Sequence, residues 1–177
     1  TANANSQLTY TVKSVSGQLV QLTKSSSLAE IRAALAQDLS SITLNTGLGS
    51  IVWNNIERTE ITGTDNNPSY GDLLIRLQDG SYHGGGQAGG GYYDTFYADW
   101  SSATQGITWV NDPTQVQTIN GLEISGVERL LVLAGSGNDV LDNTANSTDD
   151  TFITGAGNDT IRAGAGADVG CSRSEGA

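Results

Sequence analysis

Four aspartates near the C-terminus, Asp139, Asp150, Asp159 and Asp168, stand eleven, nine and nine residues apart, and three of them close a Gly-x-Gly-x-Asp unit. In register the segment reads 134–142, 145–153, 154–162 and 163–171, with Asn143-Thr144 as a two-residue insertion. Gly135 and Gly137, Gly155 and Gly157, and Gly164 and Gly166 open backbone angles closed to other residues. Each such loop can curl and turn its carbonyl oxygens inward, beside the carboxylate of its aspartate. The triplets that follow, Val140-Leu141-Asp142, Thr151-Phe152-Ile153 and Thr160-Ile161-Arg162, read as very short strands with one side chain pointing in. Carbonyls and carboxylates together make a hard-oxygen cage suited to calcium. Without a cation the carboxylates crowd and repel.

This nonapeptide resembles the RTX, or hemolysin-type, calcium-binding repeat family, whose unit is GGxGxDxUx. Ala134 and Thr154 replace the first glycine, and Gly170 stands where the apolar residue of the last repeat belongs. The repeat at 145–153 keeps only Asp150 and Phe152 of the pattern. The resemblance implies a parallel β-roll in which two nonamers make one turn. The loops at Asp139 and Asp159 would then share an ion, as would those at Asp150 and Asp168, where Asp149 is a spare carboxylate. The stretch 89–101, GGGYYDTFYADWS, resembles the point where a repeat of this family runs into a longer aromatic strand, which adds Asp94 and Asp72 as candidate ligands. Family members commonly leave the cell by type I secretion, although the tail 171–177 carries no obvious signal for it.

The composition agrees with a cation ligand. Eight Lys and Arg against 19 Asp and Glu leave a net charge of −11 over 177 residues, the length of one domain or two small ones. No basic stripe exists for nucleic acid, and no apolar run approaches the roughly 18 residues of a membrane span. Cys171 is the only cysteine and His83 the only histidine, so neither an intrachain disulfide nor a His/Cys zinc site can form, and HExxH is absent. A secreted chain without disulfides needs another staple, and a metal held by oxygen ligands supplies one.

The remaining elements must carry these loops. Residues 8–23 alternate apolar and polar on both sides of Ser16-Gly17, which predicts a β-hairpin. Ser27-Leu28-Ala29-Glu30 has capping-box spacing, and Leu28, Ile31, Leu35 and Leu39 predict one amphipathic helix over 28–39. From Ser41 onward, short apolar runs alternate with turn clusters, as in a solenoid. The stretches from Ile56 and from Val127 look like imperfect copies 71 residues apart. The expected fold is mainly β: a β-rich unit with one short helix over 1–60, short strands over 61–133, the calcium-binding roll over 134–170 and a polar tail over 171–177.

Other motifs weigh less. Gly84 to Gly89 satisfies GxGxxG without the strand-then-helix context of a dinucleotide site, and His83 beside it lacks a nucleophile. Asp112-Pro113 resembles the bond at which some RTX modules cleave themselves, but reads first as a turn. Trp53, Trp100, Trp109, Tyr92, Tyr93 and Tyr97 offer either a sugar-stacking platform or, as the commoner use, a core. The expectation is a non-enzymatic, secreted or cell-surface module whose C-terminal half folds on millimolar calcium. Adhesin, surface layer or filament subunit are the settings, with partners in further copies of the chain or in cell-surface polysaccharide and no nucleic acid or membrane span. The alternative is a folding and secretion domain of a secreted enzyme.

Overall fold

The computed structural model describes residues 7–46, 49–53, 58–63, 71–85 and 92–172. Strands β1 (Thr9–Ser14) and β2 (Leu19–Leu22) form the expected hairpin, with Tyr10 opposite Leu22 and Gly17 at φ +89° in the turn. Helix α1 (Leu28–Leu35) begins at a complete capping box. Ser27 Oγ accepts from the Glu30 N–H at 3.2 Å and Glu30 Oε2 from the Ser27 N–H at 2.7 Å, which holds the Glu30 carboxyl below its ordinary range.

The helix stops at Leu35 rather than at residue 39, because the chain must turn back to pair with β1. Leu39 opens β3 (Leu39–Thr46) opposite Ser14, so its apolar side chain serves a strand and not a helix face. Strand β4 (Gly49–Trp53) completes an antiparallel sheet of order β2-β1-β3-β4.

From Arg58 the chain winds into a coil of short strands. These are β5 (Arg58–Thr62), β6 (Leu73–Ile75), β7 (Asp79–His83), β8 (Thr95–Asp99), β9 (Thr108–Val110), β10 (Gln117–Ile119), β11 (Leu122–Ser125), β12 (Arg129–Leu133), β13 (Val140–Asp142), β14 (Thr151–Gly155), β15 (Thr160–Arg162) and β16 (Val169–Ser172). One face is a five-stranded parallel sheet, β16-β14-β12-β8-β6. The opposite strands form two sheets: parallel β15-β13-β9, and β5-β7-β11 with β10 antiparallel beside β11. Asn120 and Gly121 join β10 to β11, both at positive φ as a tight hairpin turn requires. Val169 lies eighteen residues after its partner Thr151, the length of two nonamers, whereas the β8-to-β12 turn takes 34 because it also carries β9 to β11.

The two similar stretches 71 residues apart fall on different faces. Arg58 opens β5, while Arg129 opens β12 of the five-stranded sheet, so the copies sit half a turn out of phase; Ile56 and Glu57 lie outside the described residues.

Leu74, Phe96, Leu130, Val132 and Phe152 fill the coil from one side, and Ile61, Tyr82, Trp109, Ile124 and Leu141 from the other, all buried. Phe96 makes edge contacts with Tyr82 at 5.4 Å and Trp109 at 5.8 Å, so Trp100, Trp109 and Tyr97 are core residues rather than a sugar platform. The outer side of the five-stranded sheet is buried too, with Leu73, Ile75, Tyr97, Leu131 and Leu133 beneath the N-terminal unit. Tyr10 Oη accepts from the Ile75 N–H, and Arg129 Nη1 donates to the carbonyls of Lys24 and Ser26 at 2.7 and 3.1 Å. A strand covered on both faces reads as the unbroken apolar run of β12.

Candidate metal centre

A carboxylate stands immediately before each strand of the five-stranded sheet: Asp72, Asp94, Glu128, Asp150 and Asp168. Asp139 and Asp159 hold the same place before β13 and β15. From that position a carboxylate reaches back one rung. Asp94 Oδ1 accepts from the Asp72 N–H at 2.6 Å, Glu128 Oε2 from Asp94 at 2.8 Å, Asp150 Oδ1 from Leu130 at 2.8 Å and Asp168 Oδ1 from Asp150 at 2.9 Å. On the other face Asp139 Oδ1 accepts from Ile107 at 2.8 Å and Asp159 Oδ1 from Asp139 at 3.0 Å. These bonds stack the rungs and use one oxygen each. The fate of the second oxygen separates the loops.

At the first pair that oxygen is left over. Asp139 is fully buried, Asp159 half-buried, and Oδ2 of each is a buried atom with no hydrogen-bond partner among the described residues. Burial pushes the Asp139 carboxyl up, the Ile107 N–H opposes it and the charge of Asp159 adds to it. The glycines bring the loops together. A Cβ on Gly155 or Gly157 would collide with the carbonyl oxygen of Gly135 or Gly137, and Gly135 itself rests on the Ala103 carbonyl. Asn138 Oδ1 adds a bond from the Asn158 N–H at 2.9 Å. Among the described residues no three His, Cys, Asp or Glu side chains converge, so loop carbonyls must supply most of a cation's shell. Two orphaned carboxylate oxygens beside stacked carbonyls fit calcium, which takes about six to eight oxygen ligands.

At the second pair the protein fills both oxygens of Asp150 itself. Asp150 Oδ1 takes the Thr148 hydroxyl at 3.1 Å besides the Leu130 N–H, and Oδ2 takes Asn143 Nδ2 at 2.7 Å. Burial still outweighs these donors and, with the charge of Asp168, pushes the Asp150 carboxyl up to about 6. Gly164 and Gly166, at φ +94° and +154°, pack on the carbonyls of Asn146 and Thr148. Asp149 is exposed, and its Oδ1 accepts from the Ala167 N–H at 2.7 Å.

Asp94 lies in the ladder but away from these loops, packed against Gly84. Burial first, then Glu128 and Asp72, push its carboxyl up to about 8 against the Asp72 N–H and Lys24. His83 Nδ1 lies 2.8 Å from Ser125 Oγ on the neighbouring strand, and Asp112 Oδ1 accepts from the N–H and hydroxyl of Thr114 in a local turn. Gly86 to Gly91 lie outside the described residues. Sequence reasoning missed two participants. Glu128 precedes an apolar run as the aspartates do, which is a readable signal; Asn143 looked like mere insertion, and only the fold brings it to Asp150.

Among the described residues no helix is long and apolar enough to cross a membrane. No curated protein and no solved structure matches the chain. Residues 144–170 match the four-copy family model of the RTX calcium-binding nonapeptide repeat, a span that begins after the loop at Asp139. The C-terminal rungs of this mainly β chain therefore carry RTX repeats, and calcium is their cofactor.

Proposed function

We propose that the chain is a non-enzymatic extracellular module, structural or adhesive, in which the loops at Asp139 and Asp159 hold calcium and thereby fix the last rungs of the coil. The observation that carries this reading is the pair of buried Oδ2 atoms without donors. A buried carboxylate oxygen with neither donor nor counter-ion is costly, and a hard cation removes that cost. Gly135, Gly137, Gly155 and Gly157 hold the loops in contact, and Asn138 ties them through Asn158, so the ligands are positioned by the same bonds that stack the rungs. Calcium bound to the folded state alone then stabilises it by mass action. A secreted setting is supported by the RTX repeats, and the acidic surface suits a calcium-rich medium.

The test is a calcium titration of chelator-treated protein followed by far-UV circular dichroism, with magnesium as control and light scattering on the same samples. A selective gain of β signal is expected with calcium and is lost in Asp159→Asn. Growth in particle size alongside it supports a self-assembling surface module. A spectrum indifferent to calcium contradicts the reading.

A further inference from the structure

We infer that Asn143 does for Asp150 what a cation does for Asp139, so that the second loop pair is closed by protein donors and the chain takes up a single ion, at Asp139 and Asp159. This rests on the calcium reading of that first pair.

The side-chain amide of Asn143 is fully buried and uses all of its hydrogen-bonding capacity. Nδ2 donates to Asp150 Oδ2 and to the Glu128 carbonyl, both at 2.7 Å. Oδ1 accepts from Asn146 Nδ2 at 2.7 Å and from Asn111 Nδ2 at 2.9 Å. Two acceptors face its nitrogen and two donors face its oxygen, so the amide has one orientation. A cation at Asp150 Oδ2 would compete with that nitrogen for the oxygen, and displacing it would leave several buried partners unmatched.

The substitutions in the loop point the same way. Asn146 and Thr148 occupy the two positions where the other repeats have glycine. Both are buried donors of this network, Asn146 to Asn143 and Thr148 through its single hydroxyl hydrogen, which is shared between Asp150 Oδ1 at 3.1 Å and the Glu128 carbonyl at 2.9 Å. Asn143 itself is the first residue of the insertion that stretches the aspartate spacing from nine to eleven. Hydrogen-bond donors thus stand where the other repeats have glycine, at the loop whose aspartate has both oxygens occupied. The repeat reads as decayed by its motif, yet its polar groups are matched.

The experiment counts bound calcium on the whole chain by native mass spectrometry and calorimetry, with chelator-state melting as a second readout. The wild type is expected to bind one ion, Asp139→Asn none, and Asp168→Asn still one. Asn143→Asp replaces the donor by a carboxylate of the same shape; it should melt lower in chelator and recover on taking up a second ion. Two ions on the wild type, one of them lost in Asp168→Asn, would overturn the role of Asn143 while leaving the calcium reading intact. No ion on the wild type would instead overturn the calcium reading, and this inference with it.

Discussion

Asp139 and Asp150 start from the same position: each precedes a short strand, is fully buried and gives Oδ1 to a backbone N–H one rung back. They part at Oδ2, which meets no donor at Asp139 and the Asn143 amide at Asp150. Asp94, further up the coil, adds a third arrangement, since a carboxyl pushed up to about 8 holds a proton at neutral pH. On the reading proposed above, the coil settles buried carboxylates in three ways, by cation at Asp139, by amide at Asp150 and by proton at Asp94. What a repeat motif predicts therefore depends on what surrounds the second oxygen, and the motif alone does not report it.

The largest expected break of this contrast comes from Asp139→Asn, which should abolish the calcium-dependent rise in melting temperature. At calcium one hundred times Kd that rise corresponds to about 2.7 kcal/mol. Melting in chelator should change far less than melting in calcium.

A pH series in chelator addresses the carboxyls without a cation. Asp94 and Asp150 are both raised in the folded state, from 3.8 to about 8 and about 6. Stability from each is complete below the ordinary carboxylate value and is lost as pH rises through the raised one. Stability in chelator, and with it the melting temperature, should therefore fall between pH 4 and 8, and Asp94→Asn should flatten the upper part of the fall.

Thr148→Val removes the hydroxyl shared between Asp150 and the Glu128 carbonyl and should cost about 1–2 kcal/mol, equally with and without calcium. A cost seen only in calcium would place an ion at Asp150. The smallest effect is a gain. A Cβ on Gly170 would lie 3.6 Å from Ile161 Cδ1, an ordinary contact, so Gly170→Ala should stabilise the last rung by about 0.4–1 kcal/mol in thermal melts.

Much of this was legible in the residues because the signals are local. The nine-residue spacing of Asp150, Asp159 and Asp168, the Gly-x-Gly loops, the Ser27–Glu30 capping box and the Ser16-Gly17 turn each act within a few positions. The helix end was not, because Leu39 fits helical spacing and a strand paired with Ser14 equally well, and only the sheet decides. Nor was the Asn143 network, whose partners Asn111 and Glu128 come from 32 and 15 residues away once the coil has wound. The aromatic core has the same origin, since Phe96 meets Trp109 across the coil.

The most direct test is hydrogen exchange, resolved by segment, with calcium and with chelator. Protection gained on adding calcium should concentrate in the loops at Asp139 and Asp159 and in strands β13 to β16. Strands β1 to β8 should exchange alike in both conditions. Equal exchange throughout, or a gain centred on Asp94 or on the N-terminal unit, would contradict calcium binding at the Asp139–Asp159 pair.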